Sequence, residues 1–596
     1  MDEIKELNSL KDIINIKFDM FGEKTAFLEK NPETREFEKI SYSKVKKDIN
    51  ALGTIMLKKL NLKDEKIAVI GENSYRWYVS YMAAVCGVGI VVPLDKELPA
   101  NEILNLLERA ESKCIIYSSR KKDMILEIKD KLPKDMVYIE MNKSESDDES
   151  YSFDKLIEEG KELLDTGNTE YIDIKIDREE FKILLFTSGT TAAAKGVMLS
   201  HKNLCSNVHN CWHLVPKIGE YTYLSLLPMH HTYEFSLVYL LGTSTGSTIG
   251  ICEGMKYVVK DMNEVKPDLI CAVPALIEKI SQKIDKAIEA TGKEKIIRTA
   301  GKVATGLSKI GIDFRRKLFK SVQDNFGGNL KFLFCGAAPI DKEIINKLES
   351  YGFVFMQGFG VTEGSPLLSA TTFDNREPGT CGKAVYNGEL RIDLSQNEDK
   401  DSKIGEILAK GDNIMMGYYQ DEEKTKETIK DGWLYTGDVG YFNERGNLVI
   451  TGRTKNVIVT SNGKNIYPEE LETLINRIPL VEESMVYGAK ADKKNQELIV
   501  TARITINKEY MEEKYKGVKL SNKQIHDIIW EEIKKINREL VSYKAIKKLE
   551  VKEDEFIKTT TMKIKRFAEL EKDKNKNTNA NKTSSKKQVK KTNKKK

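Results

Sequence analysis

Short, wholly apolar runs of four or five residues recur along this chain, separated by longer stretches with helical spacing. Ile67-Ala68-Val69-Ile70, Gly89 to Pro93 and Cys114 to Tyr117 are such runs, and a helical segment through Trp77 to Val85 lies between the first two. A strand that is apolar on both sides is covered on both faces, as parallel strands are when their crossover helices lie over the sheet. The alternation predicts a doubly wound α/β layer over residues 1 to 175. A second α/β unit is expected over 176 to 370, with strands at Ile183 to Phe186, Leu269 to Val273 and Lys331 to Phe334, and a lysine-rich helical stretch from Leu276 to Phe326. Residues 371 to 451 carry shorter strands and Gly turns, which predicts a small β-subdomain. Gly452 opens a smaller C-terminal domain that is expected to end at Arg566. Residues 567–596, rich in Lys, Asn, Thr and Ser, cannot bury a core and are expected to be disordered.

The charge is unevenly spread. The net +5 of the 596 residues hides a tail, Glu571 to Lys596, with eleven lysines and two acids, so the rest carries −4. The longest apolar stretch, Ala83 to Leu94, is interrupted by Gly87, Gly89 and Pro93 and is too short to span a bilayer. Met1-Asp2-Glu3-Ile4-Lys5 leads into no apolar segment of signal-peptide type, which predicts a cytoplasmic protein. Eight scattered cysteines without C-x-x-C pairs fit reduced, buried thiols. Cys205, His209, Cys211 and His213 cluster in sequence but match no zinc module.

Polar residues collect where the apolar runs end. Ile183 to Phe186 empties into Thr187-Ser188-Gly189-Thr190-Thr191, and Lys195-Gly196 follow three alanines. Small residues let backbone N–H groups approach an anion, hydroxyls add donors and the lysine adds charge, so the tract suits a phosphate-binding loop, with a polar turn between two elements as the alternative. It is not a Walker loop, because Ala194 precedes the lysine and Gly196 follows it. Gln357-Gly358-Phe359-Gly360-Val361-Thr362-Glu363 contains G-x-G, but Glu363 occupies the place of the third glycine of a dinucleotide fingerprint. A carboxylate there suits a hard cation on a triphosphate. Tyr435-Thr436-Gly437-Asp438, Gly452-Arg453-Thr454-Lys455-Asn456, Asn462 to Glu470 and Lys558 to Arg566 complete the set.

In this order the motifs resemble the AMP-forming adenylating superfamily of acyl-CoA synthetases, peptide-synthetase adenylation domains and luciferases. The resemblance covers roughly residues 20 to 566. It implies an N-terminal domain of two doubly wound α/β subdomains plus a small β-subdomain, a mobile α+β C-terminal domain, and an active site between them. The phosphates of ATP would meet Thr187, Ser188, Gly189, Thr190, Thr191, Lys195 and Thr362, and adenine would meet Gly336, Ala337, Ala338, Gln357, Gly358 and Phe359. Asp438 and Arg453 would hold the ribose, Glu363 with Thr187 would hold Mg²⁺, Lys455 would be the hinge and Gly463 would face the thiol of coenzyme A. Lys563 would be the catalytic cation, spanning the attacking carboxylate and the α-phosphate.

The chain departs from the family where glycine and proline are replaced by Ala192 and Ala194, and where glycine is replaced by Met562. If position 192 needs a positive φ, alanine strains the loop; otherwise it stiffens the loop, by about 0.4–1 kcal/mol through the unfolded chain. Leu227 to Glu234, Val273 to Ile280 and Phe326-Gly327-Gly328-Asn329-Leu330 are most similar to bacterial long-chain fatty acyl-CoA synthetases. An aromatic gate and an apolar tunnel accept the acyl chain in that group, and His230 is the candidate at the pocket entrance; a packed core histidine is the alternative. The implied products are acyl-CoA, AMP and pyrophosphate. A separate carrier protein as acceptor, or a catalytically silent nucleotide- or lipid-binding homologue, remains open. The basic tail is expected to make weak peripheral contact with anionic membrane at the inner face, with no specific nucleic acid as partner.

Overall fold

The computed structural model describes residues 7–187, 194–214, 221–292, 294–308, 310–395, 402–460, 464–490, 498–518, 520–559 and 563–572. Ser188, Gly189, Thr190, Thr191 and Gly463 lie outside these residues, as do Ala192, Met562 and the tail beyond 572.

The predicted apolar runs are strands, and two large sheets gather them. One has eight strands in the order 417–418, 195–200, 181–187, 90–93, 66–70, 114–117, 137–140 and 151–152. Its centre is parallel, with Ile67 beside both Val91 and Cys114. The other has nine, in the order 383–384, 367–370, 354–360, 332–335, 269–272, 222–225, 248–251, 25–30 and 37–41. Helices cover both, and their starts are written locally. Ser41 and Ser74 accept hydrogen bonds from the backbone of Lys44 and Trp77, Ser200 and Asn203 form a capping box, and Pro274 occupies a first-turn position whose N–H is not needed.

The expected boundary at residue 175 does not separate the two sheets. The hairpin Phe181–Thr187 with Lys195–Ser200 extends the first sheet beside Val91, while Thr25–Lys30 pairs in parallel with Thr248–Ile251 of the second. Hydrophobic period identifies a strand but carries no information about which edge it joins.

A five-stranded antiparallel sheet, built on Gly405–Gly411 and Trp433–Phe442, forms the small β-subdomain. Its strand Leu448–Arg453 runs through Gly452, so the smaller C-terminal unit begins after Arg453. That unit packs Pro468–Ile475 and Asn522–Glu539 around the strands Val481–Lys490, Leu498–Ile506 and Lys548–Lys552. It does not end at Arg566: residues 566–572 are helical, and Glu569 is buried, accepting a hydrogen bond from the Ile557 N–H at 2.8 Å. Among the described residues no helix is long and apolar enough to cross a membrane.

Candidate active site

The phosphate loop springs from a hairpin whose last described pair is Thr187 and Lys195. Lys195 Nζ lies 4.7 Å from the centre of the Tyr418 ring. Tyr418 is held by pairing with Val197 and donates a 2.7 Å hydrogen bond to Glu363 Oε1. The turn Thr362–Gly364 presents Glu363, and the N–H of Met415 fixes its carbonyl at 2.8 Å. Tyr418 therefore joins the lysine and the glutamate of two distant motifs. It lies in Gly417-Tyr418-Tyr419, where no polar tract signals a site, and sequence reasoning missed it.

Burial, and after it the neighbouring cations Lys424 and Lys455, hold the Lys195 ammonium below its ordinary pKa, against Glu363 and Asp421. A bound polyanion would relieve the repulsion among these cations, of which Lys424 is also paired with Glu427.

Two strand ends lie side by side next to this pair, with Cys335 in parallel register with Gln357. Ala337 takes φ 74°, a left-handed conformation that costs a non-glycine residue roughly 1–3 kcal/mol and that clusters at functional sites. Gly360 is a steric necessity, since a Cβ there would lie 1.9 Å from the Pro366 carbonyl oxygen. The Gln357 side chain turns inward and accepts the Gly379 N–H at 3.1 Å. Phe359 is buried among Leu368, Ile407 and Leu448, so the ring presents little free surface.

Asp438 and Arg453 face each other across antiparallel strands, Nε to Oδ1 at 2.8 Å. Burial raises the Asp438 pKa, while Arg453 and then Lys563 oppose the rise. Lys563 belongs to the C-terminal unit and is tied to Thr559. Its N–H donates to Thr559 Oγ1 at 3.1 Å, its carbonyl accepts the Thr559 N–H at 2.8 Å, and Lys558 pairs with Ile564. Arg566 is anchored on the same unit, donating to Glu472 at 2.6 Å and to the Val486 carbonyl at 2.8 Å. The Lys563 side chain is solvent-accessible. Partial desolvation by surrounding protein, followed by Arg453, lowers its pKa, and Asp438 works the other way. Between the two units, Arg477 forks onto Asp341 at 2.6 and 2.9 Å, and Lys286 pairs with Glu509.

His230 and His231 are distinguished by the structure. His230 is nearly buried, its Nε2 3.7 Å from Asp95 Oδ2, and burial pushes its pKa down to about 3. His231 is the one within electrostatic reach of Lys563, and burial, His230 and Lys563 all lower its pKa. The two rings lie against each other, 4.1 Å between centres. Asn73 carries the segment, accepting the Met229 N–H at 3.0 Å and donating to the Leu227 carbonyl at 2.7 Å.

Glu234 closes the same segment. It is fully buried, Oε1 accepts the Leu226 N–H at 3.0 Å, and Oε2 has no hydrogen-bond partner. Burial pushes its pKa up to about 8. A carboxyl whose folded pKa exceeds its unfolded value gives stability that is complete below the unfolded pKa and is lost as pH rises through the folded one. Wild-type stability should therefore fall between pH 5 and 9, whereas Glu234→Gln, which keeps the acceptor and cannot ionise, should not share that loss. Denaturant melts are expected to show a relative gain on the order of 2 kcal/mol for the variant at pH 9.

A family model for the AMP-binding enzyme matches residues 17–419, and one for the AMP-binding enzyme C-terminal domain matches residues 455–575. Fatty acyl-CoA synthetase B of Dictyostelium discoideum is 27% identical, over 88% of this chain and 81% of that protein. Long-chain-fatty-acid–CoA ligase 5 of Rattus norvegicus is 29% identical, over 75% of this chain and 69% of its own. The fold is similar to that of the anthranilate CoA ligase AuaEII in complex with anthranoyl-AMP (TM-score 0.75, 18% identity, 94% of this chain and 96% of that one). It is also similar to ATP-bound MatB from Rhodopseudomonas palustris (TM-score 0.70, 22% identity, 95% and 99%).

Proposed function

The chain belongs to the AMP-binding enzyme family, and from that premise we propose how its residues divide the work of ATP-dependent activation of a long-chain fatty acid to acyl-CoA. The fatty acid carboxylate attacks the α-phosphorus of ATP, pyrophosphate leaves, and the acyl-adenylate forms. The coenzyme A thiol then attacks the acyl carbon, and AMP leaves with its electron pair. What supports this reading is the Asp438–Arg453 pair, 2.8 Å apart across antiparallel strands, with Lys563 of the C-terminal unit close enough for both to act on its charge.

In this reading Asp438 accepts hydrogen bonds from the ribose hydroxyls and Arg453 fixes its orientation. Thr187 and Lys195 lead the loop that surrounds the phosphates, joined by Thr362, and the backbone at Gly336, Ala338 and Gly358 lies against adenine. Lys563 screens the repulsion between the carboxylate and the α-phosphate, a gain larger in the transition state than before it. After adenylation the C-terminal unit swings about Lys455, withdrawing Lys563 and bringing the Gly463 loop toward the thiol. The retained Lys563, Glu363 and Asp438 disfavour a silent homologue.

The donor set fits a hard cation. Glu363 keeps its second oxygen free of hydrogen bonds among the described residues, and Thr187, opposite Lys195 on the hairpin, would add a hydroxyl. Magnesium, held by these two, would neutralise charge on the triphosphate. Glu363→Gln should raise the magnesium concentration for half-maximal rate by at least on the order of tenfold, the loss typical of even an outer partner of a metal site. The same shift is expected in the magnesium dependence of ATP binding measured without turnover.

The proposal is tested by incubating the protein with ATP, coenzyme A and free fatty acids of increasing chain length. Acyl-CoA formed with equimolar AMP and pyrophosphate, with an optimum among long chains, is the expected result. AMP release that requires a carrier protein in place of coenzyme A would reject the acceptor.

A further inference from the structure

The helical stretch after Ala290 leaves apolar side chains in solvent that the proposed chemistry does not use. Along the helix Glu294–Ser308, Gly301 and Ala304 face the protein, while Ile296 and Val303, seven residues apart and on the opposite side, are 69% and 57% exposed. The following segment adds Ile310 (71% exposed), Ile312, Phe314 and Leu318, and Phe314 and Leu318 close a groove against Ile296, Ala300 and Val303. Exposed aliphatic side chains at this density are not ordinary surface, because each costs hydration that burial would relieve.

Charge decides what can cover them. Residues 294–320 contain eight Lys or Arg and two acids, a local +6 within a body that is otherwise negative. Arg298 and Arg315 are occupied by Glu294 and Asp313, and Arg316 by the carbonyls of Leu330 and Gly328. Lys295, Lys302 and Lys317 are exposed beside the apolar side chains, with no acid opposite them among the described residues. The lysine-rich tail carries the same sign and would be repelled. A second copy docked face to face would set one +6 patch on another. An apolar stripe flanked by unpaired lysines matches an interfacial surface, with the aliphatic groups below the headgroups and the ammonium groups among anionic phosphates.

We propose that the face formed by Ile296, Val303, Ile310, Ile312, Phe314 and Leu318 docks the protein onto anionic lipid bilayers. The inference rests on this surface alone and stands apart from the identity of the acyl substrate. The full chain should sediment with phosphatidylcholine vesicles containing about one-third phosphatidylglycerol, and much less with phosphatidylcholine alone. The double variant Ile296→Glu/Val303→Glu changes only exposed positions and should lower the vesicle partition coefficient about tenfold or more, while turnover of a soluble short-chain acid stays unchanged. Deleting 573–596 should leave most of the binding intact. In Ile296→Trp, emission should shift to the blue on adding anionic vesicles, relative to the parent chain. Partition unchanged in the double variant, or abolished by the tail deletion alone, would overturn the proposal. So would a parent chain that self-associates in sedimentation velocity and becomes monomeric in the double variant with vesicle binding unaltered, which would assign the face to a second copy.

Discussion

Lys563→Ala is expected to slow acyl-adenylate formation by ~10²–10³, the cost of one preorganised charge contact at a transition state, while thioester formation from supplied acyl-adenylate stays near the parent rate. The asymmetry follows from where the residue is carried. Asp438 and Arg453 sit on the β-subdomain and, in the proposed reading, serve every state that binds nucleotide, whereas Lys563 belongs to the C-terminal unit, where Arg566 is anchored on Glu472. Rapid quench of the two half-reactions separates them. Equal losses in both would contradict a cation used in only one.

Asp438→Ala should impair both half-reactions, by ~10² or more in kcat/KM for ATP, because one buried carboxylate does two things. In the proposed reading it accepts from the ribose hydroxyls, and it is the anion that pairs with Arg453 and opposes the lowering of the Lys563 pKa. Removing one partner of a buried charged pair costs about 3–5 kcal/mol when the other is left uncompensated. Part of that appears as instability here, since Arg453 is half-exposed and can reach water. Asp438→Asn, which keeps shape and hydrogen bonding and loses charge, should recover stability before it recovers nucleotide affinity. Calorimetric ATP titration alongside thermal melts distinguishes the two effects.

These two variants also show what could be read from the sequence alone. Lys563, Asp438, Arg453 and Glu363 are singled out by the resemblance of their motifs to the adenylating superfamily, not by composition. The strands Lys66–Ile70, Cys114–Tyr117 and Leu269–Ala272 were legible for a different reason, an unbroken apolar run. Long-range pairing was not legible. Phe181–Thr187 joins a sheet begun a hundred residues earlier, and Thr25–Lys30 joins one whose members, the adjoining Phe37–Ser41 apart, come two hundred residues later. Tyr418 was silent because a tyrosine in an apolar setting reads as core until its hydroxyl is seen on Glu363. His230 and His231 could not be told apart by spacing, since which ring turns toward Asp95 is decided by packing of the Asn73-held segment.

The most direct test of the central claim is fatty-acid-dependent exchange of labelled pyrophosphate into ATP with coenzyme A withheld. Exchange that requires a long-chain acid, persists without thiol and collapses in Lys563→Ala is the predicted result. Exchange absent from the parent protein with every acid tested, although ATP binds, would contradict adenylation at this site.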